Sequence, residues 1–541
     1  MKYSILKSAL FTVAATGFLV SCGSGGAIVS PPIGNIDSTP LKTQELTEEQ
    51  AKNWKDYDLV TDTIPGMSIN KAYTELLKGK KGKTVIVAVI DSGIDVEHED
   101  LDDVIWTNED EIPNNGKDDD NNGYIDDIHG WNFLGDIVDE NLEYERIVRD
   151  KAMLPADMVA KAQKEYDKKV EEAAQQKAFY EQQVAAVKGF DAKLETATGK
   201  KDYTLEDVNA VDAGNDQELV QAKGIAGRVF PQYESFKNLI DLLQGEIDGL
   251  TALLNGDKLK TNYRKDILND DPYTWDTPVY GNNEYSGPDP EKADAFHGTH
   301  VAGIIAAERD NGLGVNGVAN NVEIMVLRAV SQADEYDKDI AKAIRYAADN
   351  GATIINGSFG KYHSTNPEWV WEAIKYAESK DVLFVNAAGN EGIDTDFTQV
   401  YPQDQELAGE EISDNFLTVG ALNFEYGANL LANFSNYGKS SVDVFAPGVA
   451  IYSTAPNNKY RNAGGTSMAA PATAGVAAVI RSQYPKLTAA QVKQVIMDSG
   501  LTTSARVTLG GNAEDMKPFG ETTVSGKMVN LYNALILASK M

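Results

Sequence analysis

Hydrophobic positions along the chain follow two patterns that indicate two kinds of structure. Short apolar runs rich in β-branched residues are typical of strands buried on both faces of a parallel sheet. They lie at 84–90, 322–330, 353–358, 382–388, 416–422 and 442–446, and amphipathic helices are predicted at 338–349, 367–379 and 489–497. This alternation predicts an α/β fold, a doubly wound and mainly parallel sheet flanked by helices.

The second pattern is a helical seam within residues 134–294, of which 273–294 form a predicted return loop. Apolar residues keep a helical spacing over 155–188 and stop at Gly189. Over 232–255 they recur at alternating intervals of four and three. One seam per helix is too little to form an independent core. We therefore expect an inserted α-helical hairpin or small bundle that packs on itself or on the sheet.

Composition narrows the classes of function. The 541-residue chain has a formal net charge of −33, which opposes electrostatic binding of nucleic acid or anionic lipid. Its single cysteine excludes a disulfide within the chain. Beyond the first residues, the sequence predicts no stretch that is apolar and long enough to span a membrane.

The N-terminus has the pattern of an export signal. Two lysines precede an apolar stretch at 9–20, which is too short to span a bilayer and ends at Ser21-Cys22. Residues 1–22 resemble the signal peptide of bacterial lipoproteins, which implies that Cys22 is lipidated and that this lipid is the only membrane contact. The leaflet stays open. The alternative is a plain secretory signal with an incidental cysteine. Residues 23–56, rich in Gly, Ser and Pro at their start, are predicted to be a tether.

Three stretches carry candidate chemistry. The strand at 84–90 delivers Asp91 at its carboxyl end, where parallel sheets place their sites. His297-Gly298-Thr299-His300 opens a helix of small residues, and Gly465-Thr466-Ser467 leads into another. A serine there would lie among unpaired backbone N–H groups at the positive end of the helix dipole. Each stretch alone has an ordinary alternative, a turn for Asp91 and Ser467 and a structural role for a histidine.

Together, and in the order Asp, His, Ser, the three stretches resemble the motifs of the subtilisin-like serine proteases, or subtilases. The resemblance implies an endopeptidase that works through an acyl-enzyme intermediate. Ser467 would be the nucleophile, His297 the general base and Asp91 the residue that orients it, while His300 would be buried and structural. Ala388-Gly389-Asn390 resembles the family segment whose asparagine donates to the oxyanion.

The resemblance covers 57–133 and 295–541, the predicted catalytic domain, and leaves 134–294 outside it. It implies that two segments pair with the backbone of a peptide or protein substrate. One segment is Ser358, Phe359 and Gly360, and the opposite one is Val330, Ser331 and Gln332. Such pairing tolerates many sequences. The chain departs from the family in having too few residues before its first strand for a full prodomain. We expect a monomer.

An acidic stretch predicts a structural calcium ion. Asp118, Asp120 and Asn122 alternate ahead of a glycine, and the Tyr124 carbonyl and Asp126 follow at the spacing of an Asp-x-Asp-x-Asn-Gly calcium loop. His129 stands where an EF-hand has its last glutamate, so the loop is not an EF-hand. The alternative is a solvated acidic turn. The second choice for calcium is the segment at 310–314.

The sequence leaves alternatives for the function and for the inserted segment. A catalytically idle, calcium-stabilised surface binding protein is the alternative function, and processing of one dedicated partner is a further possibility. Both ends of the inserted segment lie near the predicted active site in sequence. The insertion therefore either restricts access to the cleft or packs away from it as an appendage.

Overall fold

The computed structural model describes residues 28–34, 36–42, 44–276, 279–407 and 409–541. The predicted signal peptide and Cys22 lie outside the described residues. Within those ranges, no helix combines the length and the apolarity that crossing a bilayer requires.

A seven-stranded sheet forms the centre of the fold, with the order β2-β3-β1-β4-β5-β6-β7 and parallel pairing throughout. Its strands are β1 Val85–Asp91, β2 Gly130–Asn132, β3 Val322–Arg328, β4 Ile354–Gly357, β5 Leu383–Ala387, β6 Phe416–Leu422 and β7 Val444–Pro447. Two hairpins lie outside it, β8 Ile451–Ala455 with β9 Lys459–Ala463, and β10 Arg506–Leu509 with β11 Asn512–Pro518. The α/β class predicted from the sequence is confirmed.

Helices cover both faces of this sheet. The α-helices of the described residues are α1 Glu48–Asn53, α2 Leu59–Asp62, α3 Ile69–Glu75, α4 Glu143–Arg149, α5 Ala156–Thr198, α6 Leu205–Ala210, α7 Gln217–Tyr233, α8 Phe236–Leu254, α9 Phe296–Ala306, α10 Asp337–Asp349, α11 Pro367–Ser379, α12 Thr466–Gln483, α13 Ala489–Ser499 and α14 Leu531–Ala538. Strand β1 shows how the layers form. Val87 and Val89 enter the core shared with α9 and α12, whereas Ala88 and Ile90 enter the core shared with α10 and α11.

The N-terminal residues differ from the predicted tether. Ile33 exchanges hydrogen bonds with Asn533, its N–H donating at 2.7 Å and its carbonyl accepting at 3.0 Å. Ile36 and Trp54 are each 1% exposed and belong to the main core. The glycine, serine and proline content of this segment suggested flexibility. The burial of Ile36 and Trp54 in the core nevertheless holds the segment in place. The segment 28–56 therefore packs along the catalytic domain.

Helices α4 to α8 form an elongated unit, which we call the helical arm. At 43 residues α5 is about 65 Å long, and α8 and α7 pack along it. Helix α5 continues past Gly189, where the sequence predicted its end, and stops at Gly199, which has a φ of 69°. Leu194 explains the difference: its burial in the cluster at the far end of the arm outweighs the helix cost of one glycine, about 1 kcal/mol.

The segment predicted as one helix at 232–255 is also corrected. Glu234, with a φ of 65°, separates α7 from α8, and Ser235 caps α8 by accepting from the N–H of Asn238 at 3.1 Å. Of the six apolar residues at the predicted spacing, Phe236 and Ile247 are buried, whereas Ile240, Leu243, Leu250 and Leu254 are partly exposed. The helical arm thus has a narrow apolar seam between two buried clusters, one at its far end and one at its root, where α4 packs on the start of α5.

Candidate active site

Asp91 and His297 meet at the carboxyl end of β1. The carboxylate of Asp91 is 1% exposed, and its Oδ1 lies 2.7 Å from His297 Nδ1 and accepts the Ser92 N–H at 2.7 Å. The glycine after the histidine permits this approach, because a Cβ at Gly298 would lie 2.1 Å from the Gly93 carbonyl oxygen. Helix α9 can therefore start directly over the loop that follows β1.

The electrostatics of the two histidines differ. Burial lowers the pKa of His297, but the charge of Asp91 and the hydrogen bond to it have the larger effect, so the pKa lies above the usual value. His300 is fully buried, with Nε2 placed 3.1 Å from two main-chain carbonyl oxygens, and burial lowers its pKa to about 4. His297 is suited to exchange a proton, whereas His300 stays neutral and ties α9 to the β8–β9 hairpin.

Ser467 lies in the first turn of α12 and contacts the end of β4. Its hydroxyl donates to the main-chain oxygen of Ser358 at 3.2 Å, and the Ser358 hydroxyl donates to the Ser467 carbonyl at 2.9 Å. These reciprocal bonds fix the helix start against the segment predicted to bind substrate.

Asn390 follows β5 and is held by Thr466, a contact that no sequence motif predicted. Its Oδ1 accepts from the Thr466 N–H at 2.8 Å and from the Thr466 hydroxyl at 3.0 Å. This assigns the amide oxygen to Thr466 and leaves the Nδ2 hydrogens available at an exposed position beside Ser467. The arrangement suits donation to an oxygen that gains negative charge.

Two pockets flank the segment Ser358 to Gly360. One, of about 340 Å³, contains Asp91, His297 and all six predicted substrate-binding residues. The other, of about 200 Å³, contains Ser467 and Asn390. Phe359 and Gly360 line both, so the segment separates two parts of one cleft. Asp294 and Glu335 also line the larger pocket, although no sequence motif pointed to them.

The carboxylates that converge in the acidic loop differ in part from the predicted calcium ligands. Asp118 and Asp120 both accept the Asn122 N–H, at 3.1 and 2.9 Å. The carboxylate of Asp126 instead accepts two main-chain N–H groups of the same loop. The carboxylates that converge within 4.8 Å are those of Glu111, Asp120 and Asp127. Of the three predicted carboxylate ligands, Asp120 belongs to this group and Asp118 and Asp126 do not. Glu111 joins the group because the chain folds back onto the loop, where its carboxylate accepts the Asp119 N–H at 2.7 Å.

Asp91, His297 and Ser467 thus lie around one cleft, in the order along the chain that the sequence motifs predicted. The sequence profile of the subtilase family, peptidase S8, matches residues 82–521. The chain belongs to the subtilase family.

Individual relatives share a smaller part of the chain. A thermophilic serine proteinase of Bacillus sp. strain AK1 is 47% identical over 189 residues, which are 35% of this chain and 43% of the relative. Subtilisin DY of Bacillus licheniformis is 37% identical over 199 residues, 36% of this chain and 67% of the relative. A solved protease structure from Pseudoalteromonas arctica PAMC 21717 has 28% identity and a TM-score of 0.37, and covers 45% of this chain and 70% of that one. The chain thus spans less than half of the first of these relatives.

Proposed function

We propose that this chain is an exported, lipid-anchored serine endopeptidase that acts on peptide or protein substrates. The observation that carries the proposal is the 2.7 Å contact between Asp91 and His297 in a cleft that also contains Ser467 and Asn390. Membership of the subtilase family supports the same reaction class.

In the proposed reaction, Ser467 attacks the carbonyl carbon of the scissile peptide bond while His297 accepts the hydroxyl proton. Asp91 holds the imidazole through Nδ1 and stabilises its charged form. The oxyanion receives hydrogen bonds from Asn390 Nδ2 and the Ser467 N–H, and one such donor contributes about 100- to 1000-fold in rate. His297 then returns the proton to the leaving amine, and water releases the acyl group by the same steps in reverse.

The Ser467 hydroxyl must rotate from the Ser358 carbonyl toward His297 for this sequence. Hydrogen bonds between nucleophile and base are often long in substrate-free enzymes and form fully in the substrate complex. The hydrogen bond from the Ser467 hydroxyl to the Ser358 carbonyl, at 3.2 Å, is a single weak one. The free energy of substrate binding is therefore sufficient to break it and allow the rotation.

Replacing the nucleophile tests the proposal. Ser467→Ala should abolish peptide hydrolysis and labelling by a fluorophosphonate probe, with an unchanged melting temperature, because Ala suits a helix start. Ser379→Ala, at an exposed end of α11, is the matched control and should behave as wild type. Labelling that persists in the Ser467 variant would place the reactive serine elsewhere. A wild-type protein that neither labels nor cleaves would favour the idle binding protein.

The lipid anchor is supported by the sequence at Cys22 alone. Family members are typically secreted, which agrees with an export signal. Cys22→Ser should move the protein from the membrane fraction to the soluble exported fraction, because one acylated cysteine supplies the proposed hydrophobic attachment. Retention of the variant in the membrane fraction would refute this part of the proposal.

A structural calcium ion fits the acidic loop. Carboxylate oxygens of Glu111, Asp120 and Asp127 converge, and oxygen ligands are those that calcium prefers. Burial raises the pKa of Asp127, which a cation would counteract. Calcium should raise the melting temperature, with about 2.7 kcal/mol of stabilisation at 100 times the dissociation constant. Asp118→Ala with Asp120→Ala should remove this response. An undiminished response would move the site to the segment at 310–314.

A further inference from the structure

Trp54 lies just after α1, in the N-terminal segment that packs along the catalytic domain. Its side chain is 1% exposed, and its indole Nε1 donates to the main-chain oxygen of Val449 at 2.9 Å. Val449 belongs to residues 448–450, which follow the edge strand β7 and which we call the β7 loop. The hydrogen bond therefore joins the N-terminal segment to this loop.

The residue after Val449 has a strained backbone. Ala450 has a φ of 50°, in the left-handed region that favours glycine. Such a conformation persists only where neighbouring groups hold it. Ala450 and Trp54 both line a cavity of about 750 Å³, so packing on that side of the loop is incomplete.

The hydrogen bond from Trp54 acts on the peptide group that leads into Ala450. Because a peptide group is planar, the direction of the Val449 carbonyl sets the φ of the next residue. At the other end of the loop, the N–H groups of Gly448 and Val449 donate to the Leu422 carbonyl at 3.0 and 3.2 Å. The β7 loop is thus held by β6 at its start and by Trp54 at its strained end.

The β7 loop supports the residues that lead to the nucleophile. The Gly448 carbonyl accepts the Gly465 N–H at 2.9 Å, and Gly465 lies two residues before Ser467. A Cβ at Gly448 would lie 2.8 Å from the Gly465 oxygen, so the two backbones are in close contact. A shift of the β7 loop would therefore displace the start of α12.

The start of α12 determines the positions of both proposed donors to the oxyanion. Ser467 supplies its own N–H, and Thr466 fixes Asn390 by donating to its Oδ1 at 2.8 and 3.0 Å. Oxyanion donors act on charge that develops in the transition state. Their displacement therefore lowers kcat more than it changes KM.

We propose that Trp54 is a positioning residue for the oxyanion donors. Its hydrogen bond to Val449 holds the β7 loop in the conformation that places Ser467 and Asn390. The inference rests on the proposed endopeptidase function and makes the N-terminal segment a requirement for full activity. Trp54 acts through the β7 loop and not on the reacting atoms.

Replacing the indole tests the role of the hydrogen bond. Trp54→Phe removes the N–H donor and keeps an aromatic ring in the core. With a fluorogenic peptide we expect kcat to fall about tenfold or more and KM to stay within about twofold of wild type. Fluorophosphonate labelling of Ser467 should slow by a similar factor, because the same donors stabilise the charged phosphonyl oxygen. Both rates are measured at a temperature where circular dichroism shows the variant to be folded.

Trp131→Phe is the matched control. Trp131 is 5% exposed, and its indole donates to the Tyr280 carbonyl at 2.9 Å, so the same type of hydrogen bond is lost. It lies on β2, at the opposite edge of the sheet from β7. Its kcat should therefore stay within about twofold of wild type.

A second substitution separates positioning from packing. Glycine adopts a left-handed φ without steric cost, so Ala450→Gly relieves the strain that Trp54 is proposed to hold. Added to Trp54→Phe, it should restore kcat to within about threefold of wild type. Lost packing around the Trp54 ring would not respond to a change at residue 450.

The outcomes separate this inference from the proposed function. Wild-type kcat in Trp54→Phe would overturn the positioning role and leave the endopeptidase intact. A loss that Ala450→Gly does not restore, or an equal loss in Trp131→Phe, would assign the effect to packing. A wild-type protein that neither cleaves nor labels would overturn the endopeptidase itself. If Trp54→Phe fails to fold, Ala450→Val decides. A β-branched residue there increases the strain, so kcat should fall at constant KM, and an unchanged kcat would overturn the inference.

Discussion

Helices α12 and α5 show how differently the catalytic domain and the helical arm use one type of secondary structure. In α12, 16 of 18 residues are buried, whereas in α5 only five of 43 are. Helix α12 lies against five strands of the sheet and consists largely of alanine and other small residues. Helix α5 has a polar surface with exposed pairs at a spacing of four, such as Lys177 with Glu181.

This contrast explains what each region can contribute. A helix buried on all sides holds Ser467 at a fixed position, because neighbouring layers surround it. A helix with one seam depends on its partner helix and on the cluster at its end, so its stability is local. The two regions meet at the root of the helical arm, where Arg146 of α4 donates to the carbonyls of Asp334 and Glu335 at the cleft wall.

The largest effect is expected from breaking that junction. Arg146 is fully buried, pairs with Glu143 and lies 3.9 Å from the centre of the Tyr336 ring. Arg146→Met leaves the Glu143 carboxylate buried with a weaker partner, Lys361 at 3.7 Å. The free energy of unfolding should fall by about 3–5 kcal/mol, measured by urea denaturation at pH 7.

Lys193→Met is the matched control, since it removes exposed ion pairs within the helical arm, from α5 to Asp216 and to Glu218 at the start of α7. Its cost should stay within about 1 kcal/mol. Equal losses for the two variants would mean that burial at the junction does not matter.

The difference in burial between the two regions also explains why the sequence predicted the catalytic domain better than the helical arm. Strand β6 has the predicted bounds, and α11 begins at Pro367, a residue suited to a first helical turn. In the helical arm, Gly189 suggested an end that tertiary contacts overrode. The hairpin of β10 and β11 was missed, although Gly510 and Gly511, both with positive φ, carry a hairpin signal.

At the site, the strong motifs led to the residues that the structure brings together around the cleft. Thr466 and Glu335 could not be found in that way. Thr466 acts through a contact with Asn390 across 76 positions, and Glu335 depends on how its loop folds behind the cleft. Neither arrangement leaves a periodic pattern in the sequence.

The next effect is local to the helical arm. Phe236 is 1% exposed and lies edge-on to Phe230 with ring centres 5.2 Å apart. Phe236→Ala should destabilise the far cluster by about 3 kcal/mol or more. Leu242→Ala, at a residue 51% exposed, should change stability by no more than about 0.5 kcal/mol.

Hydrogen exchange measured by mass spectrometry separates local from global effects. In the Phe236 variant, amides of α6 and α7 should exchange faster while those of α12 keep their wild-type rates. Faster exchange in α12 would show that the two regions unfold as one cooperative unit.

A smaller effect is expected from pH at the active site. His297, the proposed general base, must be neutral to accept a proton, and Asp91 raises its pKa above the usual value of 6.5. Because the protonated form is inactive, kcat/KM should fall about tenfold for each pH unit below that pKa. The acidic limb of the profile should therefore show an apparent pKa above 6.5. Asp91→Asn should move this pKa downward in addition to slowing the reaction. An acidic limb below 6.5 in the wild-type enzyme would contradict the pairing.

The smallest effect is expected from removing the far end of the helical arm. Val187 and Phe236 both belong to the far cluster, so a short Gly/Ser linker can replace residues 188–235 between them. That cluster and the two cores of the sheet share no residue, so independent contributions should add. The melting temperature of the catalytic domain and the hydrolysis of a small peptide ester should therefore change little, by less than about twofold in rate.

Cleavage of a folded protein is the informative comparison. If the far end restricts access, that rate should rise far more than the ester rate in the shortened variant. If the shortened variant changes both rates by the same factor, any control of access lies at the junction at Arg146 and the far end is an appendage.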